Sequence, residues 1–201
     1  MARKKKFNPY AGADCTQELR VNKSAEFILD NCSIGEIIPE LILDIGEKNI
    51  TALSIRRKLL DNNRQVGVIF TKGDLDFAIE TDSYYELPFK YITCFEVIEH
   101  LANPLLLLTN IYKRSTPDAY LFLSYPSRGL LQTDNHFYEY PRHKFEYMLL
   151  KSGWQIHSER KIAIRIPPGI GKNKGGLGVR PILRYFFDYT HIYLIRKIND
   201  T

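Results

Sequence analysis

Tyr91-Ile92-Thr93-Cys94-Phe95-Glu96-Val97-Ile98-Glu99-His100-Leu101-Ala102-Asn103-Pro104 is the stretch on which the fold turns. It begins as a run of β-branched, aromatic and apolar residues, the composition of a strand. It ends in Asn103-Pro104, a helix start signal, with a run of leucines behind it. Between the two lie Glu96, Glu99 and His100. Residues three and four apart on a helix share a face, so the two carboxylates and the imidazole are expected to converge on one point. Core packing does not ask for that trio at the end of a buried strand, because buried charge is costly. The trio reads as a site for a small cofactor, a metal or proton chemistry.

The same alternation extends outward on both sides. Glu40-Leu-Ile-Leu-Asp-Ile-Gly46 is a short apolar run ending in Asp and Gly, the pattern of a buried strand that turns sharply. Helical character follows over 51–60, then a second β-rich run over 66–70, closed by Thr71-Lys-Gly-Asp-Leu-Asp76. The third strand is predicted over 89–95 and a helix over 101–113. A turn at 115–118 leads to a fourth strand over 119–124. A helix over 137–153 is expected to stop at Ser152-Gly153. Beyond it come a strand over 154–166, a Pro/Gly/Lys loop over 167–178 and a last strand within 184–197. Upstream, Leu19, Ala25, Phe27, Ile28 and Leu29 predict a helix over 19–31, joined by a connector at 34–39. Strands alternating with helices imply an α/β fold, a mostly parallel sheet with helices on both faces.

The chain of 201 residues suits one such domain, expected over 19–201, preceded by a flexible basic segment over 1–18. Hydrophobic content of 44% with 25% charged residues fits a soluble globular protein, and excludes a chain built mainly of disorder. No apolar run approaches the roughly 18 residues of a membrane span. The basic start lacks the apolar core of a signal peptide. Cys15, Cys32 and Cys94 are odd in number and lack metal spacing, which predicts reduced thiols in a cytoplasmic protein. The net charge of +5 permits an acidic partner such as RNA, although much of the excess sits in the first six residues. The sequence carries no signature of oligomeric state.

Three blocks, Leu41-Ile-Leu-Asp-Ile-Gly46, the 91–104 stretch and Tyr120-Leu-Phe-Leu-Ser-Tyr-Pro126, make the chain resemble the class I S-adenosylmethionine-dependent methyltransferases over residues 40–165. The second block is similar to the signature of the ubiquinone-pathway O-methyltransferases. The resemblance implies a Rossmann-like fold, S-adenosylmethionine as cofactor, and methyl transfer to O or N of an acceptor, foremost a small molecule. Open parallel sheets bind ligands beyond the carboxyl ends of their strands. Asp44, Gly46, Phe95 and Glu96 would hold the cofactor there, with Asp74 on the ribose. Asp76 is the other ribose candidate, and Asp82 would lie near the adenine. The plainer reading makes 73–76 a polar turn whose Asp side chains bond local backbone. The family's Asp-x-Gly-x-Gly-x-Gly is here Asp44-Ile-Gly46-Glu47-Lys48-Asn49-Ile50. Lys48 and Ile50 would crowd a cofactor on the usual path. That departure motivates an alternative, a catalytically inactive methyltransferase-like module for binding or assembly.

Glu96, Glu99 and His100 also resemble the Glu-x-x-Glu-His set that binds a divalent ion in ubiquinone-pathway and small-RNA 2′-O-methyltransferases. In the RNA enzymes a downstream histidine segment completes the site. Here His136, Glu139, Arg142 and Phe145 line up with it, and Tyr140 replaces a Trp. The implied metal set is Glu96, Glu99, His100 and His136, suited to Mn²⁺, Fe²⁺ or Zn²⁺, or to Mg²⁺ with several retained waters. Three readings stay open at this point: a metal site, metal-free catalysis by Glu99, His100 and His136 as acid–base groups, or loop ordering alone. A metal-dependent RNA O-methyltransferase is a further alternative. Among weaker signals, Lys172–Gly178 reads as a surface loop, Arg128 as a contact for an anionic substrate, and Cys94 and Trp154 as packing residues. His143 and His157 read as ordinary surface or half-buried residues.

Overall fold

The computed structural model describes residues 15–34, 40–45, 57–62, 64, 66–71, 74–76, 88–126, 137, 139–163 and 189–198. Its strands are β1 (Glu40–Ile45), β2 (Val66–Phe70), β3 (Phe89–Cys94), β4 (Ser115–Pro126), β5 (Trp154–Ala163) and β6 (Tyr189–Lys197). Its helices are α1 (Cys15–Asn31), α2 (described over 57–61), α3 (Pro104–Lys113) and α4 (Arg142–Lys151). The strands form one sheet in the order β2-β1-β3-β4-β6-β5. β1 pairs parallel with β2 and β3, and β3 pairs parallel with β4. β6 lies antiparallel between β4 and β5. Five strands therefore point one way and β6 is reversed, so the mostly parallel sheet expected from the sequence is present.

Side chains alternate between sheet faces with a period of two, and both faces are covered. Leu43, Ile45, Ile92 and Leu121 pack with Leu107, Leu108 and Ile111 of α3 and Phe145 of α4. On the other face Ile42, Tyr91, Phe122 and Leu194 pack with Val21, Phe27 and Ile28 of α1 and Leu59 of α2. This explains why β1, β3 and β4 read as nearly continuous apolar runs instead of alternating ones. Each fully buried Leu, Ile or Phe contributes about 1.5–3 kcal/mol. Trp154 is fully buried, and its indole N–H donates to the Leu108 carbonyl at 3.1 Å. Among the described residues no helix is long and apolar enough to cross a membrane.

Several boundaries differ from the sequence reading for identifiable reasons. α1 begins at Cys15, so residues 15–18 belong to the helix and not to a flexible segment. The expected turn at 115–118 is part of β4: Ser115 pairs with Phe89, the register shifts before Tyr91, and Thr116 Oγ1 donates to Asp118 Oδ1 at 2.8 Å. The irregularity absorbs the polar residues without ending the strand. α3 starts at Pro104, not at 101, because Asn103 Oδ1 accepts from the Leu106 amide at 3.2 Å and caps it. α4 starts at Arg142, since Pro141 is held in an extended conformation. It stops where expected. Gly153 has φ +85°, and a Cβ there would lie 2.5 Å from the Tyr112 ring.

The largest difference concerns 96–100. Glu96 has φ +57°, the left-handed region, which breaks any helix continuing from the strand. Only Ile98–His100 then coil, as a single 3₁₀ turn. Gly46 and the 47–50 turn, Asp82, Arg128, His136 and the 167–178 loop lie outside the described residues.

Candidate functional site

The chain leaves β1 for β2 on one side, then returns to β3 on the other. The carboxyl ends of β1 and β3 thus form the topological switch point of the sheet, where a crevice opens in α/β folds. Asp44 and Thr93 face each other there in register. Thr93 Oγ1 donates to Asp44 Oδ1 at 2.6 Å. Asp44 is 1% exposed, and its second oxygen, Oδ2, has no hydrogen-bond partner among the described residues. Burial pushes this carboxyl up to about 7, against the opposing Thr93 bond. The Thr71 amide donates to the Asp44 carbonyl at 3.0 Å and ties the end of β2 to the same place.

One step along the sheet, Glu96 is clamped in its left-handed conformation. Its amide donates to Ser124 Oγ at 2.8 Å, and that hydroxyl donates to Glu96 Oε1 at 3.2 Å. Arg20 of α1 donates to Glu96 Oε2 at 2.6 Å. A non-glycine residue held this way costs about 1–3 kcal/mol, and such strain collects at functional sites. Arg20, Ser24, Glu96, Ser124 and Thr190 line a narrow cleft between α1 and the strand ends.

Glu99 is also 1% exposed, and its Oε2 has no hydrogen-bond partner among the described residues. Burial first, then the Glu96 and Glu139 carboxylates, push it up to about 8, with Arg20 and a backbone hydrogen bond opposing. His100, the next residue, is exposed. The expected common face is therefore not formed: Glu99 turns inward, His100 lies at the surface, and Glu96 pairs with α1. Among the described residues no three His, Cys, Asp or Glu side chains are arranged to hold a metal ion. The donors that are described do not fit one, and His136, the fourth of the implied set, lies outside them.

The downstream segment does come to this turn. The Phe137 amide donates to the Glu99 carbonyl at 2.9 Å. The Tyr140 amide donates to the Tyr125 phenol, whose hydroxyl reaches the Tyr140 carbonyl at 3.3 Å. Phe137 is thus attached to the turn after β3 and Tyr140 to the end of β4, and Glu139 beside Tyr140 is half-buried. Phe95 is buried beneath Glu96, and Cys94 is a buried free thiol that burial and the nearby Glu99 and Asp44 hold well above its usual range. Cys94 packs, as expected. Asp74 accepts from the Asp76 amide at 3.0 Å, and Asp76 accepts from the Ala102 and Asn103 amides at 3.1 and 2.7 Å. Both aspartates serve backbone groups, and Asp76 docks its turn on the approach to α3.

Arg20, Thr93, Ser124 and Tyr125 belong to the site but were not singled out from sequence. Ser124-Tyr125 carried a usable signal, being polar groups at the end of an apolar strand. Arg20 carried none. At the far side Glu159 holds His191 Nδ1 at 2.5 Å and Arg142 at 2.8 Å, next to Tyr125, which pairs with His191 across β4 and β6.

Several solved structures share this architecture. One is in the complex of the Haloferax volcanii Trm112 methyltransferase activator with a proposed methyltransferase, at 12% identity, covering 96% of this chain and 99% of that one, with a TM-score of 0.58. Another is the Burkholderia thailandensis 1,6-didemethyltoxoflavin-N1-methyltransferase holding 1,6-didemethyltoxoflavin and S-adenosylhomocysteine, at 10% identity, 93% and 80% coverage and a TM-score of 0.55. A third is the [4+2]-cyclase SpnF, at 11% identity, 88% and 80% coverage and a TM-score of 0.52. At these identities the likeness is one of fold. No curated protein matches the sequence. The family model of the methyltransferase domain matches residues 22–161, more than half of the sequence, and the chain belongs to that family.

Proposed function

We propose that the protein is an S-adenosylmethionine-dependent methyltransferase acting on O or N of an acceptor, most simply a small molecule. One observation carries the reading: a fully buried Asp44 at the switch point of the sheet, with a carboxylate oxygen that has no partner among the described residues. A buried carboxylate left half-satisfied fits a ligand that brings positive charge. S-adenosylmethionine is such a ligand, and it supplies a methyl group on a positively charged sulfur. Asp44, Phe95 and Glu96 would line its site, with Gly46 at the following turn and Asp74 toward the ribose. Ser124 and Arg20 fix the Glu96 backbone against which the cofactor would lie. Methyl transfer needs an in-line approach, so the chain's main contribution would be positioning. Arg20 and Ser124 would border the acceptor side.

The cyclase neighbour is a reminder that this fold hosts other reactions, so the site and not the architecture must be tested. Calorimetric titration with S-adenosylhomocysteine is the direct measurement, with and without Mn²⁺. Binding is expected, unchanged by Mn²⁺, and weakened about tenfold or more by Asp44→Ala, a loss of about 1.4 kcal/mol. No binding at millimolar ligand would sink the reading and leave the inactive binding or assembly module. Binding without transfer to any acceptor would favour that module too.

A further inference from the structure

Charge divides between the two ends of the parallel strands. Asp44, Glu96 and Glu99 stand at or just past the carboxyl ends of β1 and β3, where the candidate site lies. At the opposite end β3 and β4 begin, α3 finishes and β6 finishes. The described charged side chains of those segments are Lys90, Lys113, Arg114, Arg196 and Lys197, against Asp118. They form one patch. The Phe89 amide, beside Lys90, donates to the Arg114 carbonyl at 2.8 Å, and Lys197 Nζ donates to the Ser115 carbonyl at 2.6 Å. Tyr91, Tyr120 and Arg196 sit opposite one another on β3, β4 and β6. The two phenol rings stack at 5.4 Å between centroids, with the Arg196 guanidinium 4.6 Å over Tyr120. Lys197 lies 4.2 Å over the Tyr112 ring. Ring faces hold these two cations in place without neutralising them. Lys113 is exposed, and neither it nor Arg114 enters an ion pair among the described residues. Lys90 faces Asp118 at 3.5 Å, a solvent-exposed pair that screens little of the field.

We propose that this edge of the sheet is a docking surface for single-stranded nucleic acid, held through its phosphates. Like charges gathered on one edge repel each other, and a polyanion relieves that repulsion while releasing its own counterions. Arg114 and Arg196 present planar forks that match phosphate oxygens. The half-buried Tyr112 and Tyr120 rings stand among the cations, the mixture of charge and aromatic surface that suits a nucleic-acid strand. None of the exposed large apolar side chains belongs to these segments, which disfavours a protein or membrane partner. From Lys90 to Glu96 is about 20 Å along β3, so the surface tethers a strand and does not itself present an atom for methylation. It is independent of the cofactor reading.

The probe is a fluorescent oligouridylate of about a dozen nucleotides, titrated with the full chain and followed by anisotropy at several salt concentrations. Binding is expected at low salt, with log affinity falling by roughly 0.7 per phosphate contact for each unit of log salt. Lys113→Gln and Arg114→Gln should each weaken binding about threefold or more, and together make that slope shallower by about 1.4. Lys113 is exposed, so its variant stays folded and informative even where thermal melts show Arg114→Gln destabilised. S-adenosylhomocysteine affinity, where measurable, should stay within about twofold in both variants, because the two ends of the sheet share no partner. Absence of oligouridylate binding at low salt would overturn the proposal. So would binding that both variants leave unchanged, for then the Arg3-Lys4-Lys5-Lys6 run carries it. Polyglutamate or phosphatidylserine vesicles that compete as well as the oligouridylate, charge for charge, would also overturn it and assign the edge to an acidic protein or a membrane.

Discussion

Asp44 is ionised in the unfolded chain above its ordinary value of 3.8, whereas burial keeps it protonated in the folded protein up to about 7. The folded state therefore holds an extra proton between these values, and the stabilisation this gives is lost as pH rises through about 7. Glu99, raised from 4.5 to about 8, adds a slope of the same sign. Thermal melts of the unliganded protein should fall between about pH 5 and pH 8, and Asp44→Asn should flatten part of that fall. A ligand that sets an ammonium group beside Asp44, as S-adenosylhomocysteine would although its sulfur is neutral, reverses the sense. S-adenosylhomocysteine should bind more tightly as pH rises from about 6 to 8, with a proton released that calorimetry in two buffers would count, and Asp44→Asn should abolish that trend. The place of Asp44 at the end of a buried strand was legible, because an apolar run closing in Asp44-Ile45-Gly46 marks a strand that turns. The Glu96–Glu99–His100 face was not, because it assumed helical spacing through a residue whose left-handed backbone is set by Ser124, 28 positions away.

That serine ties the residue after β3 to the end of β4. Ser124→Ala leaves the Glu96 amide without its acceptor and frees a strained residue to relax. A loss of about 1–3 kcal/mol in urea denaturation is expected, together with weaker S-adenosylhomocysteine binding. The start of α3 is a second joint, where Asn103 caps the helix and Asp76 takes the Ala102 and Asn103 amides. Asn103→Ala should cost about 1 kcal/mol by the same measurement, and Asp76→Ala a similar amount. The Asn103-Pro104 cap was readable from sequence, since its chemistry is local. Asp76's role was not, because it spans 26 positions to another element. Likewise the 115–118 turn was misread as a strand boundary, since composition does not distinguish a bulge from an end.

Across the whole molecule, the parallel half of the sheet was legible and the order of its far end was not. β1, β3 and β4 announce themselves as apolar runs buried on both faces. The reversal of β6, and its insertion between β4 and β5, leave no mark in composition, because any of these strands could fill the slot by hydrophobicity alone. The packing is continuous around that insertion. Trp154 at the start of β5 reaches Leu108 of α3, and the Tyr125, Phe145 and Tyr193 rings follow one another at 4.7 and 5.2 Å. Trp154→Ala should cost about 3–5 kcal/mol and, in a chain of this size, leave the protein unfolded at warm temperatures.

The reversed strand has a topological result of its own. Because β6 runs against its neighbours, Ala163 at the exit of β5 pairs with Tyr189 at the entry of β6, and Thr190 pairs with Pro126 at the exit of β4. β5 thus ends, and β6 begins, at the sheet edge where β1, β3 and β4 also end, so the connection between them opens on that edge. That edge is a graft point. A chain can lengthen, shorten or rewrite such an excursion without disturbing one rung of the ladder beneath it, and a methyltransferase scaffold can so change its clientele while its core sequence stands still.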